Sequence, residues 1–375
     1  MTTWQPHSPY NALPPLPPKQ EVETTRVLKL TIEARSSLAA LNQAATTMTN
    51  PAVLINAIPL LEAQASSEVE NIVTTADELF RHAHDEASAD PATREALRYR
   101  TALFEGFRSV SQRGVVTSNT AREVCSIIKT HRLDLRTGTG TYIGNPATKV
   151  AVYTPPEGRA VIDQKLTDWE LFVNGSEGLD PLVKMALAHY QFEAIHPFDD
   201  GNGRTGRVLN VLMLVAAGLL SQPVLYLSKY IIGHKNDYYS ALLAVTAEDA
   251  WTDWIEYMLE GVRQTSNSTL QKIGRVHQLQ SAMKEQIGAT ISGANISLLD
   301  VLFEQPYCRI SNVMTDCHVS RPTATKWLKA LAQGGVLHEV TMGRELLFIN
   351  WRFMDLLVRD EPEVGDESDQ RPFWL

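Results

Sequence analysis

The sequence predicts a mainly α-helical protein that carries one β-hairpin and ends in a small domain of helices and a second hairpin. Three observations support this: apolar residues recur at helical spacing in the first half of the chain, a single Thr- and Gly-rich stretch contains two short β-patterned runs, and a late helical pattern stops at Gly334-Gly335 before another hairpin pattern. We therefore divide the 375 residues into five segments. These are a Pro-rich strap (1–20), a helical region (21–108), a helical core with the hairpin (109–265), a linker helix with the small domain (266–355) and an acidic tail (356–375).

Composition limits the class of protein. The chain is 44% hydrophobic with mixed charges, which indicates a globular fold rather than disorder, and its length suffices for two or three domains. Its formal net charge of −9 argues against a chain that coats nucleic acid along its whole surface. No apolar run reaches the ~20 residues of a membrane helix, and no secretory signal precedes the first helix. We expect a cytoplasmic protein without a membrane partner.

The three cysteines, Cys125, Cys308 and Cys317, show no spacing of metal ligands. Cys317-His318 has no second Cys or His pair to accompany it, so a zinc site is rejected. Reduced thiols agree with a cytoplasmic location.

The N-terminal half predicts helices after an extended start. Six prolines before residue 20 exclude a helix there, so this segment either straps over the surface or stays loose. A helical stripe then begins at Val27 and continues through Leu30, Ala34, Leu38 and Leu41. Pro51 and Pro59 are expected to bound short helices, and a longer helix runs from about Ala92 to Arg108.

The hairpin is predicted between Leu135 and Thr154. Tyr142-Ile143 and Val150–Tyr153 have strand patterns, and Asn145-Pro146 between them has turn chemistry. An exposed strand edge can recruit an extended peptide by strand addition, although a plain β-excursion on a helical protein has the same sequence pattern.

Residues 196–207 carry the strongest chemical signal. His196 can accept a proton near neutral pH, Asp200 offers hard oxygen ligands for Mg²⁺, and the glycines around Asn202 allow a close approach to phosphate. Arg204 and Arg207 are three residues apart at the start of an apolar helix, where unpaired N–H groups favour anions. A structural turn would need the glycines but not the His, the Asp and both arginines together.

This run resembles the signature of Fic-domain proteins, His-x-Phe-x-(Asp/Glu)-Gly-Asn-Gly-Arg-x-x-Arg, with every fixed position filled. The resemblance implies a Fic helical core with a β-hairpin flap that transfers AMP from ATP to a Ser, Thr or Tyr hydroxyl of a protein, itself included. His196 would be the general base, Phe198 would hold the loop and Asp200 would bind Mg²⁺. The residues that would bind ATP are Gly201, Asn202, Gly203, Arg204, Thr205, Gly206 and Arg207. Gly203 stands where a phosphorylating branch of the family has Lys, which favours nucleotidyl transfer. The target protein would dock on the flap, residues 136–154.

A helix is predicted to open at Asn236 and to end through Trp251–Ile255, with both of its tryptophans in the core. In Fic enzymes a Tyr-Tyr pair at this distance after the motif contributes to the adenine pocket. Tyr238 and Tyr239 could stack on a purine, or could simply be core residues.

A second pattern lies upstream. Ser66, Glu70 and Asn71 match the family's inhibitory motif, (Ser/Thr)-x-x-x-Glu-(Gly/Asn), and Ser66 and Glu70 are one helical turn apart. The resemblance implies that Glu70 pairs with Arg207 and so blocks productive ATP binding. Ser66 could otherwise be an ordinary helix cap, and Glu68 is a rival acid without the required spacing.

Residues 290–350 resemble a winged-helix domain. Ile296–Leu302 predicts a first helix, Ser311 caps a short second one, and Ser320 starts a third that ends at Gly334-Gly335. Val336–Val340 and Leu346–Ile349 predict a hairpin around Met342-Gly343-Arg344. In DNA-binding domains of this type, the contacts would come from Arg321, Thr323, Thr325, Lys326 and Arg344. So few cations give few phosphate contacts, and a protein-interaction or homodimerisation module fits the same pattern.

Two alternatives to the adenylyltransferase stay open. One is a DNA-binding regulator that uses the Fic fold as a nucleotide sensor, although nucleotide binding alone needs no base such as His196. The other is an enzyme of the same fold that uses another nucleotide donor or that removes AMP, because a phosphate cradle recognises what all nucleotides share.

Overall fold

The structure is a computed structural model that describes residues 4–48, 52–83, 85–145, 150–176, 178–293, 297–342 and 345–359. The described residues form two compact units. The first comprises those up to 48 and 58–267, and the second comprises those of 49–57 and from 268 onward. The five-part division made from the sequence stays a prediction. Among the described helices, none is both long enough and apolar enough to cross a lipid bilayer.

Among the described residues up to 290, the regular secondary structure is helical except for one antiparallel hairpin, as predicted. Its strands are β1 (Ile143–Asn145) and β2 (Val150–Tyr153), and the predicted turn residue Pro146 lies outside the described residues. The helices are α1 (Thr25–Thr47), α2 (Ala52–Val69), α3 (Ala76–His82), α4 (Pro91–Arg113), α5 (Ser118–Lys129), α6 (Arg159–Asn174), α7 (Pro181–Ile195), α8 (Asn202–Ala216), α9 (Leu227–Gly233), α10 (Lys235–Glu248) and α11 (Trp251–Thr290).

Helix α7 lies at the centre of the first unit and is buried along nearly its whole length. Pro181 occupies its first turn and the Asp180 side chain accepts a hydrogen bond from the Leu182 N–H, so the helix start is capped. The indoles of Trp169 and Trp254 donate to backbone carbonyl oxygens inside α7 at 2.9 and 2.7 Å. This packing fixes the end of α7, where the signature begins.

The Pro-rich N-terminus is a strap over the first unit, which decides between the two options left by the sequence. Tyr10 and Leu13 are buried, at 6% and 3% exposure. The Tyr10 N–H donates to the Thr154 carbonyl at 3.0 Å, and Gln191 of α7 donates to the Pro14 carbonyl at 2.8 Å.

Three helix boundaries differ from the sequence prediction. Pro59 lies inside α2, because its neighbours Ile58, Leu60 and Leu61 are buried and their packing outweighs the local cost of the proline. The helix predicted to run through Trp251 instead ends at Glu248, and Trp251 begins α11; Asp249 is left-handed between the two. The helix predicted from Ala92 to Arg108 continues to Arg113, where Gly114 ends it in the left-handed conformation. Pro51 lies outside the described residues.

The second unit has the order of elements of the predicted winged helix. Its strands pair in the order β3-β5-β4, all antiparallel. The elements after α11 are α12 (Ser297–Glu304), β3 (Tyr307–Arg309), α13 (Ile310–Asp316), α14 (Arg321–Gln333), β4 (His338–Met342), β5 (Glu345–Ile349) and α15 (Trp351–Val358). The mainly α-helical fold with a hairpin flap and this small domain is confirmed.

Details of the second unit agree with the sequence only in part. Ser320 caps α14 as predicted, but Arg309 rather than Ser311 precedes α13, because the Asn312 side chain accepts the Arg309 N–H at 2.8 Å. Arg321 and Lys326 are exposed on α14, whereas Arg344 lies outside the described residues. DNA contact by this helix stays a prediction.

Candidate active site

His196 terminates α7 in the left-handed conformation, with φ of 48°. Its imidazole Nδ1 is buried and has no hydrogen-bond partner among the described residues. The pKa of His196 is lowered to about 4, mainly by burial and in addition by the Arg136 guanidinium, while the charge of Glu70 acts in the opposite direction. At neutral pH the imidazole is therefore uncharged and able to accept a proton.

The turn between His196 and α8 is closed by its own side chains. The Phe198 ring is fully buried against Phe192. The Asn202 amide accepts the Phe198 N–H and donates to the Phe198 carbonyl, both at 2.8 Å, so this side chain holds the loop. Gly201 has φ of 87°, a conformation that favours glycine, and a Cβ there would lie in tight contact with the Cys125 sulfur, at 3.1 Å.

Thr205 and Gly206 pack behind the loop. Thr205 is fully buried, and a Cβ on Gly206 would collide with the carboxyl of Glu193. Neither residue lines the cavity beside His196, whereas Gly203 does. Of the seven residues that the resemblance assigns to ATP, Asn202, Thr205 and Gly206 thus support the loop in this structure.

Arg207 is 3% exposed and is bound by the N-terminal motif. Its Nη2 donates to Glu70 Oε1 and to the Ser66 carbonyl, and its Nε donates to Ser66 Oγ, each at 2.8 Å. Although burial raises the pKa of Glu70, the charge and hydrogen bond of Arg207 bring that pKa below its ordinary value. The predicted contact between Glu70 and Arg207 is present, and Ser66 is an acceptor for Arg207 rather than a helix cap.

Glu70 also covers the start of α8. A Cβ on Gly203 would collide with the Glu70 carboxylate, so the glycine allows the acid to lie against the first turn of the helix. Asn71 contributes to the motif through its backbone: its φ of 61° lets the chain turn away after α2, a conformation that Gly and Asn tolerate best. This accounts for the Gly or Asn in the last position of the pattern.

The helix that carries this motif is anchored by a buried acid. Glu62 is 1% exposed, and its carboxyl accepts hydrogen bonds from the Tyr99 hydroxyl of α4 and the Ser228 N–H of α9, both at 2.9 Å. Burial raises the pKa of Glu62. These bonds fix α2 two turns before Glu70.

Arg204 turns away from the cavity. It is 2% exposed, its Nη1 donates to Glu95 of α4, and Nη2 lies 3.6 Å from Asp200. Lys129 of α5 joins the same network, 2.6 Å from Asp200 and 3.3 Å from Glu95. Within the described residues, no three His, Cys, Asp or Glu side chains lie close enough to hold a metal ion by themselves. A Mg²⁺ ion would be held by the Asp200 carboxylate, which pairs with Lys129 here, and would supply positive charge to bound phosphates.

A cavity of about 180 Å³ opens between His196, Arg207 and the flap. Ile143 and Val152 of the hairpin line one side, and Tyr238 and Tyr239 of α10 line another. Tyr238 is 2% exposed and its hydroxyl is 2.8 Å from His189 Nε2, whereas Tyr239 is 42% exposed. The two tyrosines thus differ, since the first is a core residue with one edge at the cavity and the second is accessible.

Sequence reasoning missed Arg136, Glu95, Lys129 and Glu193. The last of these lies one helical turn before His196, a spacing that could have identified it. The other three come from distant segments and follow no motif. Glu193 lines the cavity, and burial raises its pKa to about 8, assisted by Glu70 and opposed by Arg207. Its carboxyl is therefore largely protonated at neutral pH.

We expect Glu193→Gln to change how stability depends on pH. The carboxyl keeps its proton in the folded protein up to pH about 8, but loses it near the ordinary value of 4.5 when unfolded. Its contribution to stability is therefore complete below 4.5 and is lost as the pH rises to about 8. Melting temperatures between pH 5 and 8 should fall less in Glu193→Gln than in the parent. The exposed Glu68→Gln is the control, and parallel curves for parent and Glu193→Gln would contradict the assignment.

Three family models match the chain. The Fic/DOC family N-terminal model matches residues 28–108, the Fic/DOC family model matches 120–214, and the model of the protein adenylyltransferase SoFic-like C-terminal domain matches 279–353. The first contains the Glu70 motif, the second contains His196 to Arg207, and the third contains the helices and strands of the small domain.

Curated relatives match over shorter stretches. Protein adenylyltransferase fic-1 of Caenorhabditis briggsae is 30% identical over 152 residues, which is 40% of this chain and 26% of the relative. Protein adenylyltransferase Fic of Drosophila willistoni is 48% identical over 63 residues, which is 17% of this chain and 12% of the relative. The chain thus spans about a quarter or less of the length of these relatives.

A solved structure of a Fic family protein from Desulfovibrio desulfuricans G20 has a TM-score of 0.50 and 18% identity, covering 89% of this chain and 98% of that one. This likeness concerns the fold alone. The three family models and the complete signature show that the chain belongs to the Fic/DOC family.

Proposed function

We propose that this protein is an adenylyltransferase that moves AMP from ATP to a Ser, Thr or Tyr hydroxyl of a protein. One observation carries the proposal: the imidazole of His196 lies in the same cavity as Arg207, the start of α8 and the flap. This combination supplies a base for a hydroxyl, a cation and helix N–H groups for phosphates, and an edge for a peptide.

In the proposed reaction, the target hydroxyl oxygen attacks the α-phosphorus of ATP and passes its proton to His196. A new P–O bond to the target forms while the bond from the α-phosphorus to the bridging oxygen of the β-phosphate breaks. Pyrophosphate leaves with that oxygen. The first-turn N–H groups of α8 would hold the phosphate oxygens, because these groups have no intrahelical acceptors.

Arg207 would hold the terminal phosphates once Glu70 has moved away, since the two anions compete for one guanidinium. Arg204 would act indirectly. It pairs with Glu95 and lies close to Asp200, so it would orient the Asp200 carboxylate. Tyr239 and the neighbouring apolar residues of α10, which line the cavity, would contact the adenine ring. The target segment would pair with the exposed edge of the flap, where Val150 and Val152 are 53% and 41% exposed.

Mg²⁺ bound through Asp200 would neutralise negative charge on the polyphosphate. Asp200→Ala should therefore reduce AMP transfer by ~100-fold or more at any magnesium concentration, an effect of a few kcal/mol on the transition state. Manganese binding in the presence of ATP, followed by electron paramagnetic resonance, should weaken in parallel. Asp199→Ala, which removes the adjacent exposed carboxylate, is the control. If the metal still binds to Asp200→Ala with parental affinity, the ligand assignment is wrong.

Intact-mass measurement after incubation with ATP and magnesium tests the proposed function. Self-modification or modification of an added protein should add one or more AMP groups, with release of pyrophosphate. A gain of a single phosphate would instead indicate a kinase. ATP binding without any mass gain, even after Glu70 has been replaced, would reject the transferase and favour a nucleotide sensor.

A further inference from the structure

Arg136, directly before the hairpin, is 1% exposed and binds the backbone around His196. Its Nε donates to the His196 carbonyl at 2.7 Å, and its Nη2 donates to the carbonyls of Ile195, at 3.2 Å, and Pro156. Its backbone N–H donates to the Pro197 carbonyl at 3.0 Å. One residue thus holds three consecutive carbonyl groups, those of residues 195–197.

These carbonyls lie where the chain leaves α7 in a strained conformation. A positive φ on a residue other than glycine is strained and persists only when the surroundings enforce it. His196 donates its own N–H to the Phe192 carbonyl at 3.0 Å, and the bonds from Arg136 fix the following peptide units. The last carbonyls of a helix lack intrahelical donors and favour a cation, so Arg136 caps the end of α7.

The charge of Arg136 acts on the imidazole as well. The hydrogen bonds of its side chain to described residues all go to backbone carbonyl oxygens, and the carboxylates of Glu157 and Asp199 act on the guanidinium through their charge alone. After burial, the guanidinium charge is the largest cause of the lowered pKa of His196, and Glu70 and Asp200 act in the opposite direction. Protonation of the imidazole is thereby resisted.

We propose that Arg136 is the positioning residue of the transfer reaction: its guanidinium fixes the backbone of His196 so that the imidazole faces the target hydroxyl. Its positive charge also favours the uncharged form of the resting imidazole. The inference rests on the proposed function, because a base must be both oriented and uncharged. The two effects of Arg136 can be separated. The position of the imidazole depends on the planar set of guanidinium N–H donors, whereas the protonation of the imidazole depends on the positive charge of the side chain.

The kinetic test uses Arg136→Gln and Arg136→Lys in a Glu70→Gly background. Arg136→Gln should lower kcat by about 100-fold, the effect of a misplacement near 1 Å, and leave KM for ATP within about 3-fold. Arg159→Gln is the matched control, because Arg159 bonds the Leu135 carbonyl and Asp134 on the same loop without touching residues 195–197. A parental kcat in Arg136→Gln would overturn the proposal. A loss of kcat accompanied by comparable losses of ATP affinity and thermal stability would also overturn it, because it would indicate a general structural role.

Histidine titration by nuclear magnetic resonance gives a readout that does not require activity. The His196 signal is identified by its loss in His196→Asn. Its pKa should rise from about 4 toward the ordinary value of 6.5 in Arg136→Gln and stay near the parental value in Arg136→Lys. The kcat of Arg136→Lys should nevertheless fall, because the lysine ammonium cannot reproduce the planar arrangement of donors in the guanidinium. If Arg136→Gln does not fold, a parental kcat in Arg136→Lys still refutes the positioning role.

The two tests separate this inference from the proposed function. A Glu70→Gly protein that binds ATP but transfers no AMP would reject the adenylyltransferase, and the titration would then decide the role of Arg136 on its own. An active Glu70→Gly protein in which the Arg136→Gln titration and kcat are both unchanged would reject Arg136 alone.

Discussion

Glu70→Gly is expected to raise AMP transfer by about 10- to 100-fold. The Glu70 carboxylate holds Arg207 at 2.8 Å and covers Gly203 at the start of α8, so it occupies two places that the phosphates of ATP would need in the proposed reaction. Coupling free energies between two linked binding sites are typically about 1–3 kcal/mol, about 5- to 150-fold in affinity, and the expected rise lies within this range. Arg207 keeps both of its Ser66 acceptors in the variant, so its side chain stays in place. The initial rate of α-labelled AMP incorporation measures the change.

Glu68→Gly is the matched control for this variant. Glu68 lies two residues away and is exposed, so it shares the helix end but not the contact with Arg207. We expect its rate to equal that of the parent. Equal rates in Glu70→Gly and the parent would reject an inhibitory role for the ion pair, and a rise in both variants would point to loosening of the helix end instead.

His196→Ala should reduce transfer by about 10²- to 10⁴-fold, the usual contribution of a general base. ATP affinity should remain within a few-fold, because in the proposed complex Arg207 and the start of α8, rather than the imidazole, would hold the phosphates. The effect is best measured in the Glu70→Gly background, where the starting rate is higher. Rates come from labelled AMP incorporation, and affinities come from titration calorimetry.

The control for His196→Ala is His277→Ala, which removes an exposed histidine of α11. Its rate should not change. Retention of the parental rate in His196→Ala would exclude the base, and a loss of ATP affinity as large as the loss of rate would assign His196 to nucleotide binding.

The sequence determined the loop chemistry because its residues are contiguous. His196 to Arg207 must lie together whatever the tertiary structure, and Gly201 at φ of 87° is a local requirement of the turn. The pairing of Glu70 with Arg207 was available through the resemblance, although the two residues are far apart in the chain. The structure adds the physical reason for Asn71, a left-handed position after α2 that the pattern alone does not explain.

The directions of the two arginines could not be predicted. Residues three apart on a helix share a face, which suggested that Arg204 and Arg207 point to the same phosphates. Glu95 of α4 binds Arg204 instead, and only Arg207 reaches the cavity. Helix spacing gives the angle between two side chains, whereas the partner chosen by each depends on the neighbouring helices.

Local rules failed where packing was stronger. Pro59 remains inside α2 because a buried helix gains most of its stability from tertiary contacts.

The Fic/DOC signature and the order of helices and strands were determined by the sequence itself, since both depend on neighbouring residues. The uncharged state of His196, the burial of Tyr238 and the contacts of Arg136 were decided only by the tertiary structure, because burial and long-range charge depend on segments that the chain brings together when it folds.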